Sequence, residues 1–177
     1  EPIAVLLSRK TGRPVKMVMS REDVFRATGP AGATKVQVRL GAKRDGTIVS
    51  ASSSMWFEAG GFPGSPVGAG AMTVFAAYDI PNSAIEGFDV VTTKPKTAAY
   101  RAPGAPQAAF AMEQALDELA AELRIDPIEL RLKNAAKEGT QAPYGAKFNR
   151  VGFIETLEAA KKHPHYKARD LNGTHYG

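Results

Sequence analysis

The chain has 177 residues, 44% of them hydrophobic and 23% charged, and 23 Lys and Arg against 18 Asp and Glu give it a net charge of +5. These proportions are typical of a globular chain and exclude a disordered one. There is no Cys, which excludes a disulfide scaffold, a thiolate metal site, an iron–sulfur cluster and a cysteine nucleophile within these residues.

The first 30 residues predict a helix, a strand and a second short helix. Apolar residues from Ile3 to Leu7 precede Gly12, a pattern typical of an amphipathic helix that ends in a left-handed glycine cap. Apolar and polar residues alternate over residues 15–19, which predicts a short strand. Ser20 and Asp23 have the spacing of a capping box, so one or two helical turns are expected after Ser20.

The clearest strand signal is a hairpin. Apolar and polar residues alternate over residues 35–40, Asp45 and Gly46 supply a tight turn, and residues 47–57 return as a long strand. Both faces of the returning strand carry mainly small or apolar residues, so we expect it to be covered on both sides.

Two stretches rich in Gly and Pro follow, at residues 59–70 and 94–106. Such a composition indicates loops whose backbone comes close to another group, or flexible linkers. Between them, the sequence predicts a short helix over residues 71–78 and a strand over 85–93.

The C-terminal part is helical. An apolar stripe predicts a helix over residues 107–124, Asp126 before Pro127 and Glu129 begins a short helix that runs to Asn134, and residues 151–163 predict a last amphipathic helix. Strands and helices come in blocks, so the predicted class is α+β: a twisted mixed sheet with a long hairpin, flanked by amphipathic helices.

Common catalytic motifs are absent from the sequence. His163 and His165 flank Pro164, which interrupts the helix and keeps the two rings from sharing one helical face, and His175 follows near the end. No carboxylate lies at metalloprotease spacing, so exposed imidazoles are expected rather than a metal site.

The loop before the helix that begins near Pro106 is the best candidate for a ligand site. A helix N-terminus offers unpaired N–H groups, Gly104 permits a close backbone approach, and Arg101 supplies a permanently charged planar group suited to an anion. The alternative is that the loop is only a turn and that Arg101 is a surface cation or a salt-bridge partner.

Several motifs, in this order, resemble the molybdopterin-binding large subunit of the xanthine dehydrogenase/aldehyde oxidase family, and the resemblance covers nearly the whole chain. The motifs are Lys-Thr-Gly-Arg-Pro-Val at 10–15, Ser-Arg-Glu-Asp at 20–23, Asp-Ile-Pro-Asn at 79–82, Ala-Tyr-Arg-Ala-Pro-Gly-Ala-Pro-Gln at 99–107, Glu-x-x-x-Asp-x-x-Ala at 113–120 and Asp-Pro-x-Glu-x-Arg-x-Lys-Asn at 126–134.

The resemblance implies a molybdenum hydroxylase, which hydroxylates aldehydes or electron-poor heteroaromatic carbons with oxygen from water. Molybdenum is held by molybdopterin, while iron–sulfur clusters and FAD lie on other segments or subunits. The same resemblance implies that the cofactor is contacted by Tyr100, Arg101, Ala102 and Gly104. Arg101 would lie near the molybdenum without binding it directly.

The family resemblance also places Pro103 and Ser65 on the substrate side. It places no catalytic residue in this segment. In purine-oxidising members an aromatic stands at the position of Pro103, and an Arg falls near Ala69 and Gly70. The sequence has neither, so an aldehyde or some other small carbonyl or aromatic compound is expected rather than a purine.

Residues 1–177 are therefore expected to be a single segment of a larger molybdopterin-binding subunit, inactive when isolated. Its implied partners are the remainder of that subunit, the iron–sulfur and FAD subunits and a small-molecule substrate, with no membrane. The implied location is the cytoplasm, with the periplasm as the alternative if the parent is exported folded. The alternative is a basic interaction module for nucleic acid or an acidic protein, since basic residues concentrate near both ends. Few aromatic residues lie among those cations, so nucleic acid is the less favoured partner.

Overall fold

The computed structural model describes residues 2–168, which form seven helices and three strands. The elements are α1 (Pro2–Thr11), α2 (Arg21–Ala27), β1 (Thr34–Ala42), β2 (Ile48–Gly60), α3 (Val67–Thr73), β3 (Ser83–Val91), α4 (Ala105–Leu123), α5 (Pro127–Asn134), α6 (Phe153–Lys162) and α7 (Pro164–Ala168). His175 lies outside the described residues.

The three strands form one mixed sheet in the order β1-β2-β3, which confirms the predicted class and the long hairpin. β1 and β2 are antiparallel, with Thr34 opposite Phe57. β2 and β3 are parallel, with Ala51 opposite Ser83, and the connection between them contains α3. Helix-containing connections are the usual way to join parallel neighbours.

The core lies between one face of the sheet and helices α3, α4 and α5. Met55 and Phe57 from β2 are buried against Phe75, Met112 and Leu116. The opposite face of β2 is only partly covered, since Ser50 is exposed and Ser52, Ser54 and Trp56 are half-buried. The expectation that both faces are covered is therefore wrong for the described residues.

Local capping explains where the short helices begin. Ser20 and Asp23 form the predicted capping box at the start of α2. Asp126 accepts hydrogen bonds from the N–H groups of Ile128 and Glu129 at the start of α5. Gly12 ends α1 with φ +65°, as predicted.

Two predicted elements are wrong. Residues 15–19 form no strand, because alternation alone does not supply a neighbouring strand to pair with. The helix expected over residues 71–78 instead spans Val67–Thr73. Gly70 inside this helix is buried, with only 3.1 Å between its ideal Cβ position and the Phe57 ring, so tertiary packing outweighs the low helix propensity of glycine.

The end of α5 is tied to the hairpin by a buried amide. Asn134 Oδ1 accepts a hydrogen bond from the Ile48 N–H at 2.8 Å, and its Nδ2 donates to the carbonyls of Gly46 at 2.9 Å and Leu130 at 2.8 Å. These bonds satisfy the buried polar groups at the start of β2 and fix α5 against the hairpin turn.

Candidate functional site

The two loops rich in Gly and Pro meet directly. Gly60 has φ +77°, and a Cβ there would lie 2.1 Å from the Pro95 carbonyl oxygen. The Thr97 N–H and hydroxyl both donate to the Ala59 carbonyl, at 3.0 and 3.2 Å. A side chain at position 60 would push the loops apart, so glycine is required for this contact.

Asp89 on β3 holds the first loop in place. Its carboxylate accepts hydrogen bonds from the Gly64 N–H at 2.6 Å and the Ser65 N–H at 2.8 Å, while Lys96 donates to the Gly64 carbonyl at 2.8 Å. Hydrogen bonds from Ser65 and Gly64, with the nearby Lys96 charge, hold the pKa of the Asp89 carboxyl below its usual range. The loop around Ser65 is thus fixed by an ionised group.

Gly104 brings the second loop against the start of α3. It has φ +92°, and a Cβ there would lie 2.3 Å from the Pro66 carbonyl oxygen and 2.7 Å from the Gly70 nitrogen. Pro103 and Gly104 therefore neighbour the segment that contains Ser65 and Pro66. The structure thus brings together the two loops that carry the residues predicted for the cofactor and substrate sides.

Ala102 turns the chain before α4. Its φ of +53° is one of two positive values at non-glycine residues within 2–168, and this conformation costs an L-residue about 1–2 kcal/mol. The Ala102 carbonyl accepts a hydrogen bond from the Ala105 N–H at 3.3 Å. This turn leaves Tyr100 and Arg101 exposed ahead of the helix.

The side chain of Arg101 is exposed and makes no hydrogen bond or ion pair with another described residue. Tyr100 is 40% exposed, and its hydroxyl accepts a hydrogen bond from the Gln107 side-chain amide. The other end of that amide, Gln107 Oε1, is buried without a hydrogen-bond partner in the described structure. An unpaired cation and an unsatisfied acceptor thus lie at the start of α4.

The N-terminus of α4 offers fewer free donors than its position predicts. The Ala105 N–H binds the Ala102 carbonyl, Pro106 has no N–H, and the Ala108 N–H binds the Gly104 carbonyl at 3.1 Å. Only the N–H of Gln107 remains without a hydrogen bond to the described residues. An anion at this end would therefore depend on Arg101 more than on the helix backbone.

These groups fit an anionic, hydrogen-bonding ligand such as a molybdopterin cofactor. Arg101 can pair with a phosphate or oxo group, and the Gln107 N–H can donate a hydrogen bond. The sequence motif contained Gln107 without assigning it a role. Asp89 and Lys96 were also missed, although an aspartate beside Phe88, Val90 and Val91 in a strand was a usable signal.

A polar cluster fixes α4 to α5. Arg131, with a side chain 12% exposed, pairs with Glu113 and Asp117, each at 2.8 Å. The Tyr78 hydroxyl donates to Glu113 at 2.7 Å, and its burial, with the neighbouring Glu113 charge, raises the pKa of Tyr78. The helix that carries the candidate site is thus anchored near its middle.

Other kinds of site are not found in the described part of the chain. Residues 2–168 hold no group of three or more His, Cys, Asp or Glu side chains able to bind a metal ion. His163 and His165 are exposed, and His163 Nδ1 accepts a hydrogen bond from the His165 N–H. Within the same range, every helix is too short or too polar to cross a membrane.

Comparison with known proteins gives a consistent set of matches. The profile of the molybdopterin cofactor-binding domain matches residues 1–135. The xanthine dehydrogenase molybdenum-binding subunit of Escherichia coli O157:H7 is 36% identical over 92% of this chain and 22% of its own length.

Solved structures agree with the sequence matches. An aldehyde oxidoreductase from Desulfovibrio gigas superimposes with a TM-score of 0.85 at 30% identity, over 95% of this chain and 19% of that one. Quinoline 2-oxidoreductase from Pseudomonas putida 86 has the same fold, with a TM-score of 0.89 at 22% identity over 96% of this chain and 23% of that one. The chain thus spans about a fifth of the length of these proteins, and the matches confirm the resemblance drawn from the motifs.

Proposed function

Because this chain belongs to the molybdopterin cofactor-binding domain family, we propose that it forms one wall of the molybdenum cofactor site in a larger oxidoreductase. The wall consists of loop 100–104 and the first turn of α4. Its counterpart on the substrate side is the loop around Ser65, which Asp89 and Lys96 hold in place.

The observation that carries this proposal is the unpaired Arg101 side chain, which directly precedes a backbone segment fixed by the turn at Ala102 and the close contact of Gly104. Gly104 locks the loop to α3, and the turn at Ala102 directs the preceding residues outward. A cation held on a rigid support binds an anion at a smaller entropic cost than one on a flexible loop. Arg101 would neutralise an anionic group of the cofactor.

The bound cofactor would supply the redox chemistry for hydroxylation of an aldehyde or heteroaromatic carbon. Tyr100, Ala102 and Gly104 would position it, since the Tyr100 hydroxyl is held by Gln107 and the backbone at 102–104 is rigid. Pro103 and Ser65 would face the substrate. Ala69 and Gly70 pack against Gly104 and offer no basic group for a purine.

The parent enzyme is proposed to have iron–sulfur and FAD centres on other segments or subunits and to work in the cytoplasm. The remainder of the large subunit would cover apolar residues that α1 exposes, such as Ile3, Val5 and Leu6. Residues 1–177 alone would show no turnover, because this chain would supply only one of the loops that contact the cofactor.

The test is Arg101→Ala in the full-length polypeptide. We expect molybdenum content per polypeptide, measured by mass spectrometry, to fall at least about tenfold, since a charge-assisted contact contributes roughly 1.5–3 kcal/mol. Arg101→Lys should retain part of the metal, because it keeps the charge and loses the planar group.

Arg44→Ala is the matched control, since Arg44 is an exposed arginine in the hairpin turn. It should leave the metal content unchanged. Wild-type molybdenum and pterin content in Arg101→Ala would overturn the assignment of Arg101 to the cofactor.

A further inference from the structure

Strand β1 has one unpaired edge. It pairs with β2 on one side, and no other strand of residues 2–168 lies on its second side. The Ala33 carbonyl accepts a hydrogen bond from the Glu58 N–H at 2.9 Å. Because bonding pairs alternate in an antiparallel ladder, Lys35, Gln37 and Arg39 bond to β2. The N–H and C=O groups of the residues between them, including Val36 and Val38, point to the open edge.

A groove runs along this edge between β1 and α4. Its volume is about 430 Å³, and its apolar lining comes from Val36, Val38, Phe110, Ala111 and Ala115. Phe110 is 68% exposed, which is unusual for a large aromatic beside an open strand. Natural proteins normally shield such an edge with charges, proline or a covering segment. This edge keeps its backbone groups unpaired, and the groove beside it combines apolar side chains with the polar side chains of Thr34, Gln107, Gln114 and Glu118.

The length of the groove suits a short extended segment. Three residues of β1, Thr34, Val36 and Val38, line it, and they span about 13 Å at the strand rise. The facing stretch of α4, from Gln107 to Glu118, extends about 16 Å at the helical rise. An added strand of about five residues would fill this length.

The charged side chains of β1 determine which residues an added strand would carry on its face away from the groove. Lys35 and Arg39 are exposed on the sheet face opposite the groove. The Lys35 ammonium lies 5.3 Å from the centre of the Trp56 ring, and Arg39 makes no ion pair within the described residues. Cross-strand neighbours of opposite charge stabilise a sheet, while like charges destabilise it.

We propose that the edge of β1 binds an extended polypeptide segment in which apolar and acidic residues alternate. The apolar side chains would enter the groove beside Phe110, and the acidic ones would lie next to Lys35 and Arg39. The main-chain groups of Val36 and Val38 would pair with the segment, as in other complexes formed by strand addition. Gln107 lines the groove and also contacts Tyr100 at the candidate cofactor site, so the test relies on Phe110, Lys35 and Arg39, which lie outside that site.

The experiment uses the full-length polypeptide that contains residues 1–177 and a fluorescent seven-residue peptide that alternates Val and Glu, with a Val and Lys peptide for comparison. We expect the Val and Glu peptide to bind at least about tenfold more tightly at low salt, where exposed charges are least screened. Hydrogen exchange should slow at the amides of Val36 and Val38 when this peptide binds, since those N–H groups would gain partners.

Two variants locate the contact. Phe110→Ala should weaken peptide binding at least about fivefold, as expected for loss of an aromatic anchor, whereas Phe25→Ala, which removes an equally exposed ring on α2, should not. The double variant Lys35→Glu and Arg39→Glu should reverse the preference and favour the Val and Lys peptide. Circular dichroism checks that each variant is folded.

Three outcomes would overturn the proposal. One is the absence of binding by either peptide. Another is binding that Phe110→Ala and the charge reversal leave unchanged. The third is a concentration-dependent dimer that protects Val36 and Val38 without any peptide, which would identify a second copy of the chain as the occupant of this edge.

Discussion

Gly104 is the residue at which the candidate site and the core meet. Its backbone is left-handed, and the space where a Cβ would stand is taken by the Pro66 carbonyl and the Gly70 nitrogen. Both neighbours are backbone atoms, so neither can move aside without shifting the start of α3. The loop that holds Arg101 therefore depends on the absence of a single methyl group.

Gly104→Ala should lower the free energy of unfolding by about 2–4 kcal/mol, because backbone strain and a steric clash add together. Gly139→Ala is the matched control. Gly139 also has a positive φ, of +84°, but nothing lies within 4 Å of its Cβ position, so only about 1 kcal/mol should be lost. Urea denaturation measures both values, and equal losses would show that the contact with Pro66 does not matter.

The turn of the β1–β2 hairpin is held by an ionised carboxylate. Asp45 accepts hydrogen bonds from the Thr47 N–H at 3.0 Å and the Thr47 hydroxyl at 3.1 Å, and Lys133 Nζ lies 3.3 Å away. These interactions lower the pKa of the Asp45 carboxyl to about 2, and the hydrogen bond from the Thr47 N–H has the largest effect.

A carboxyl whose pKa is lower in the folded chain stabilises the fold at pH values above its pKa in the unfolded chain, which is about 4. That stabilisation is lost as the pH falls from about 4 to about 2. Asp45→Asn should therefore reduce the fall of the urea midpoint across this range, with other carboxylates such as Asp89 accounting for the remainder. Glu138→Gln changes an exposed carboxylate and should leave the dependence of the urea midpoint on pH unchanged. An unaltered slope in Asp45→Asn would contradict the assignment.

Elements with local signals could be predicted from sequence, and those set by distant contacts could not. The hairpin turn and the Asp126 cap are encoded within a few residues, so β1, β2 and α5 were predicted close to their observed positions. The strand expected at 15–19 lacked a partner. The start of α3 was missed because its glycines look like a loop, and only packing against Phe57 and Gly104 makes them helical.

The candidate site also contains residues that local sequence signals reveal and residues that only distant contacts bring into it. Arg101 and Gly104 stand out from composition and from their place before a helix. Asp89 and Lys96 act on Gly64 and Ser65 across 24 to 32 positions of sequence, and no local pattern reports such a contact. The roles of Tyr100, Arg101, Ala102, Pro103, Gly104 and Ser65 toward cofactor and substrate stay predictions.

Across the molecule, stability is unevenly distributed. Helices α1 and α2 bury no residue, and Ile3, Val5 and Leu6 are 62%, 66% and 64% exposed. By contrast, α4 buries Ala108, Met112, Leu116 and Ala120 in the core. Regions with few buried apolar contacts open at lower free energy than the core.

Amide hydrogens of α1 in the 177-residue chain should exchange at least about 100-fold faster than those of α4, because opening α1 exposes no fully buried residue. Hydrogen exchange read by mass spectrometry, at two protein concentrations, measures this ratio. Comparable protection of α1 and α4 at both concentrations would mean that α1 is stabilised by contacts other than those described.

The bonds from Asn134 to Gly46 and Ile48 join residues 88 and 86 positions apart, and this has a consequence for the growing chain on the ribosome. At about 5–20 residues per second, Ile48 is made some 4 to 17 seconds before its amide partner emerges. Until Asn134 emerges the Ile48 N–H has only water as a partner, and until α4 is made the apolar face of β2 is uncovered. A nascent chain that stalls between these points would present an incomplete core to chaperones.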